Sequence, residues 1–120
     1  MGFLDKLLGK PTLQTVTASL AKELRARGEM DLVVNTACLR ERNIETMARC
    51  IALDMDCAAI CRLVSGFMSR GSEFSRELCR LCADVCQACG EECGKHPMDH
   101  CQVCATVCRR CAAECRKMAA

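Results

Sequence analysis

Residues 77–93 read ELCRLCADVCQACGEEC, and residues 101–115 read CQVCATVCRRCAAEC. The first stretch sets Cys79, Cys82, Cys86, Cys89 and Cys93 at intervals of 3-4-3-4. Cys101, Cys104, Cys108, Cys111 and Cys115 repeat that spacing 22 residues later. Such intervals return a side chain to one face of an α-helix. At about 100° per residue, each set of five stays within an arc of about 80° while running about 21 Å along the axis. A row of thiols of that length along a helix face is a metal-binding surface, and it is far too long for one ion.

Working outward, the remaining composition is that of one small helical domain. The chain has 120 residues, half of them apolar, with no Trp or Tyr and three Phe. A core therefore has to be filled by Leu, Ala, Met, Val and Cys. Pro occurs only at 11 and 97, which favours long helices. A net charge of +2 supplies neither the basic footprint of a nucleic-acid binder nor an acidic cage for hard cations. Fourteen cysteines in such a chain suggest a secreted disulfide scaffold. Two features oppose that reading. The start, MGFLDKLLGKP, has no long apolar stretch and no A-x-A-like cleavage site. The thiols keep a helical register, whereas disulfide miniproteins are loop-rich. No segment reaches the roughly 18 apolar residues of a membrane span. Free thiolates in a reducing cytosol, and hence a cytoplasmic location, are expected.

The pattern predicts an all-α antiparallel four-helix bundle over residues 12–120, preceded by a short extra N-terminal segment at 1–11. The first helix spans about 12–40, with Leu13, Val16, Leu20 and Leu24 as its stripe. That register brings Arg27 and Asp31 to the inner face before Val34 and Cys38, so a kink or break is expected near Gly28. The second helix, 42–69, carries Met47, Cys50, Cys57, Cys61, Val64 and Met68 in a narrow stripe, with Asp54 close to it. Ser72 is the expected N-cap of the third helix, which should end at Gly94. Asp99 with Gln102 resembles a capping box opening the fourth.

All fourteen cysteines are metal-ligand candidates: Cys38, Cys50, Cys57, Cys61 and the two rows of five. One buried cysteine alone is an ordinary small hydrophobe, but a core filled mainly with cysteine packs poorly beside leucine. Zinc wants four closed tetrahedral ligands, commonly gathered from turns and separate elements. Iron–sulfur sites usually wrap a loop around the cluster. Monovalent copper is soft, selects thiolate and thioether, and accepts two or three sulfurs, so neighbouring thiols can share ions in series. The reading is a protein that binds multiple Cu(I) ions for storage or buffering and is not an enzyme. The alternatives are a broad zinc or cadmium sequestering protein and an iron–sulfur or redox protein. His96, Met98 and His100 cluster in the last inter-helix loop, where imidazole and thioether suit metal admission better than storage.

The segments ACLRE, MARCIALDMDCAAIC, ELCRLCADVCQACGEECGKHPMDHC and CQVCATVCRRCAAECRKMAA resemble the copper storage proteins, over about two-thirds of the chain. The resemblance implies a four-helix bundle holding many Cu(I) ions, a cytosolic member, a homotetramer and a copper chaperone as a loading partner. This chain departs from the family at its first helix. The positions continuing the row back from Cys38 are Val34, Asp31, Arg27, Leu24 and Leu20, none of them a thiol. One wall of the bundle should therefore be largely without metal ligands, with Arg27 and Asp31 placed to pair.

Overall fold

The computed structural model of the chain describes residues 13–41 and 45–120, apart from the side chains of residues 13–19 and Asp31. Four helices occupy these residues: α1 (Leu13–Leu39), α2 (Ala48–Ser69), α3 (Ser75–Gly94) and α4 (Asp99–Ala119). Each packs against two neighbours, α1 on α2 and α4, and α3 on α2 and α4. The short connections reverse the chain at each turn. The result is the expected antiparallel four-helix bundle, closed around a single core. The segment 1–11, the side chains of Leu13 and Val16, and that of Asp31 lie outside the described residues, and with Asp31 the expected pair with Arg27.

Polar ties fix the helices against one another. Ser65 Oγ donates to the Ala21 carbonyl at 2.6 Å, and Asn35 Nδ2 donates to the Ile51 carbonyl at 3.0 Å, both joining α1 to α2. Arg116 on α4 donates to Asp84 at 3.3 Å and also to Gln87 on α3.

The break expected near Gly28 is not observed, because α1 runs continuously from Leu13 to Leu39. Gly28 serves helix packing instead. A Cβ there would stand 2.9 Å from Arg62 Cγ and 3.1 Å from the Ala58 carbonyl oxygen, so its absence lets α2 approach. The second helix begins at Ala48 rather than 42, after turn residues 45–47. Ser72 does not cap α3. Its hydroxyl accepts from the Phe74 N–H at 3.1 Å, and the helix starts at Ser75. The capping box at Asp99 does not form either. Gln102 Nε2 reaches back to the carbonyls of His96, at 2.7 Å, and Gly94, at 3.3 Å, tying the loop down from the other side. α3 ends at Gly94 as its composition predicts.

Candidate metal centre

The 3-4 spacing turns every thiol inward, and charged residues between them, such as Arg80, Asp84, Arg110 and Arg116, take the outer face. Small residues set how closely the rows meet. At Gly90 an added Cβ would lie 3.2 Å from Cys108 Cβ and 3.3 Å from the Ala105 carbonyl, so α3 and α4 approach nearly backbone to backbone there. All fourteen cysteines are free and buried.

Their sulfurs form a nearly continuous chain. Cys38 lies 4.0 Å from Cys101, and Cys50 lies 3.2 Å from Cys93. Cys93 is 3.3 Å from Cys104, which is 3.9 Å from Cys108. Further along, Cys57 is 3.9 Å from Cys61 and 3.6 Å from Cys86, and Cys86 is 3.6 Å from Cys111. Among the described residues, four groups place their ligand atoms within 4.8 Å of one another. In order along the axis they are Cys38–Cys50–Cys101, Asp54–Cys89–Cys93–Cys104, Cys57–Cys89–Cys108 and Cys61–Cys82–Cys86–Cys111. Cys79 and Cys115, which belong to none of these groups, interact with each other beyond the last one. A helical row does not by itself close a site, but here three rows meet, so even a four-thiol group forms.

Two charged residues enter this core. Asp54 is fully buried. Its Oδ1 accepts from Cys89 at 3.2 Å, Cys104 at 3.4 Å and Cys93 at 3.5 Å. Burial first, then negative charge on Cys104, push its carboxyl up to about 7. The sequence put Asp54 near the stripe without making it a ligand. The signal was its spacing, four residues after Cys50 and three before Cys57. Arg27 is likewise buried, and its Nη2 donates to Cys108 at 2.6 Å and Cys104 at 3.2 Å. Burial, then neighbouring Cys50, push the Cys101 thiol up to about 11, and burial, then Cys101, push Cys38 well above the usual thiol range. Without metal, these thiols hold their protons.

At the α3–α4 end, a cavity of about 520 Å³ is lined by Arg40, Glu41, Met47, His96 and Met98, among others. The structure thus brings His96 and Met98 together and adds Met47, a second thioether, which the sequence assigned only to the core. His100 stands beside this cavity, with its Nε2 3.8 Å from Glu41 Oε1. His96 Nε2 is buried with no hydrogen-bond partner among the described residues.

Comparison with known proteins agrees with this geometry. The profile of the copper storage protein family matches residues 29–120. The uncharacterized cysteine-rich protein YhjQ of Bacillus subtilis (strain 168) is 53% identical over 85 residues, covering 71% of this chain and 79% of its own. The Cu(I)-bound copper storage protein BsCsp3 of Bacillus subtilis is 43% identical, covers 88% of this chain and 99% of its own, and superposes with a TM-score of 0.82. A cytosolic copper storage protein from Streptomyces lividans, carrying five coppers, is 32% identical over 88% of this chain and 93% of its own, with a TM-score of 0.83. With most of its length matched by that profile, and with such relatives, the chain belongs to the copper storage protein family.

Proposed function

We propose that the chain stores and buffers multiple Cu(I) ions on the thiolates inside its bundle, without catalysis. The observation that carries this reading is the run of sulfurs 3.2–4.0 Å apart. At a metal–sulfur bond of about 2.3 Å, such separations subtend about 90–120° at a shared ion. Neighbouring thiols can then bridge ions with little movement, which suits a soft monovalent metal. Each ion replaces protons, so acid opposes loading. All fourteen cysteines are proposed ligands, with Asp54 contributing a carboxylate to the second group. If every thiolate bridges two ions, two-coordinate copper gives about 14 ions per chain and three-coordinate copper about 9.

The cytosolic relative supports the same compartment for this chain. A homotetramer is the proposed assembly, and exposed Val33, Met55 and Leu81 offer apolar surface for it. Residues 12–120 form the proposed bundle domain and 1–11 a leader. The cavity beside His96 and Met98 is the proposed way in from the α3–α4 end, with a copper chaperone as the loading partner.

Titration of the reduced chain with Cu(I) under oxygen-free conditions, against a Cu(I) chelator and with elemental analysis, tests the function. Saturation between about 9 and about 14 equivalents is expected, and saturation at one ion would refute storage. The group Cys61–Cys82–Cys86–Cys111 also offers the four thiolates that zinc takes. Zinc holding its own against copper in competition would favour the broad thiophilic-metal reading.

A further inference from the structure

We infer that Cys61, Cys82, Cys86 and Cys111 form a separate site for one divalent zinc ion, held tetrahedrally as a structural cross-link of α2, α3 and α4. The four sulfurs lie within 4.8 Å of one another. Cys61, Cys82 and Cys86 make a triangle with all three edges at 3.8 Å, and Cys111 stands 3.6 Å from Cys86 as the fourth corner. Four thiolates around zinc, at a bond length of about 2.3 Å and the tetrahedral angle, lie about 3.8 Å apart. The side chains therefore already stand near the corners of a zinc tetrathiolate. The site is independent of copper storage, which needs no divalent ion.

Among the described residues no other group matches this pattern. Cys38–Cys50–Cys101 and Cys57–Cys89–Cys108 have three donors each. The Asp54 group has four, but one is an oxygen, and its sulfur edges are uneven, 3.3 Å for Cys93–Cys104 and 3.9 Å for Cys89–Cys93. Cu(I) is satisfied by two or three sulfurs, so a fourth converging thiol is surplus to copper but completes the shell of zinc. Cys57 touches Cys61 and Cys86, at 3.9 Å and 3.6 Å, but lies outside the group and stays free of the ion.

The site follows from the missing cysteine row of α1. The hydrogen bond from Ser65 to the Ala21 carbonyl fixes the register of α1 on α2. One turn from that pair, toward the middle of the bundle, come Cys61 on α2 and the fully buried Leu24 on α1. At this level α1 closes the core with hydrocarbon and adds no fifth sulfur. Four protein ligands with no open position are the arrangement of a structural zinc site. Binding is without redox change: Zn²⁺ plus four Cys–SH gives Zn(S–Cys)4²⁻ and four H⁺, which pass to solvent. Cys111 is 8% exposed while the other thirteen cysteines are at 0%, so the site meets water at that corner, where the ion enters and the protons leave.

The test uses the whole reduced, copper-free chain without oxygen, titrated with Co(II) as a spectroscopic stand-in for zinc. One equivalent should produce the intense visible d–d bands of a tetrahedral tetrathiolate, and one equivalent of zinc should erase them. Zinc should also raise the thermal unfolding midpoint, since it binds the folded chain. Cys61→Ser, Cys82→Ser and Cys111→Ser should each weaken cobalt binding at least roughly tenfold, the scale on which even outer-shell partners act. Cys101→Ser, in another group, should leave the bands as they are. Circular dichroism checks that each variant stays helical, and the wild-type spectrum decides the coordination even where a variant fails to fold. An octahedral spectrum, tight binding of several cobalt ions, a midpoint unmoved by zinc, or bands lost in Cys101→Ser but kept in Cys82→Ser would overturn the site. A wild-type chain that saturates at one Cu(I) would instead overturn copper storage and leave the zinc site standing.

Discussion

Asp54 and Arg27 bring opposite formal charges into the same buried channel of thiols. Both reach sulfur: Asp54 accepts from five thiols, Cys38 and Cys50 at Oδ2 and Cys89, Cys93 and Cys104 at Oδ1, and Arg27 donates to two. Asp54 makes the metal-free fold sensitive to pH. Its folded-state carboxyl is raised to about 7 from an ordinary 3.8. A raised carboxyl binds its proton more tightly when folded. The stabilisation is therefore complete below about pH 4 and is lost as pH climbs to about 7. Over that window the reduced apo protein should lose up to about 1.4 kcal/mol per pH unit in urea denaturation. Asp54→Asn should flatten that slope, and an unchanged slope would show that another group titrates. The inward position of Arg27 was legible from its register, but its partners were not. Cys104 and Cys108 lie 77 and 81 residues away, and no local spacing reports such contacts.

Among the helices, α1 departs furthest from its expected form. A glycine and two charges in its stripe read as an interruption, yet the helix is continuous and Gly28 is the point where α2 comes close. Helix propensity favours alanine at such a site by about 1 kcal/mol, but overpacking typically costs about 1–3 kcal/mol. With a backbone oxygen only 3.1 Å from the new Cβ, the clash should win. Gly28→Ala should destabilise the chain by about 1 kcal/mol in equilibrium unfolding, and a stabilised variant would place the gap between α1 and α2 wider than described. The helix types and the inward thiol face were readable because a 3-4 period has one helical interpretation. The caps were not, since Ser72 and Gln102 found better partners in the turns than at the helix ends. Which row faces which was also hidden, because close approaches such as that at Gly90 set the relative phase of α3 and α4.

For the whole molecule, the cavity beside His96 and Met98 is the proposed place where copper enters and leaves the bundle. Replacing His96, Met98 and His100 together should slow uptake and removal of Cu(I) supplied to the apo protein, leaving final capacity almost unchanged. A large loss of capacity would instead make these residues storage ligands, and unaltered rates would remove the end opening from the pathway. The clustering of these three residues in one loop was visible in the sequence. Met47, which joins them from the start of α2, was not, because its place on the stripe marked it as core.

Cys57 touches Cys86 and Cys61 on one side and shares a group with Cys89 and Cys108 on the other. Viewed as a graph whose nodes are sulfurs, the core has two communities, and among the described contacts Cys57 is the vertex that joins them. Cys57→Ser should subtract little from the total number of ions bound. It should, however, split one connected store into two compartments that exchange at different rates. Copper removal by a chelator, smooth in the wild type, should then become biphasic.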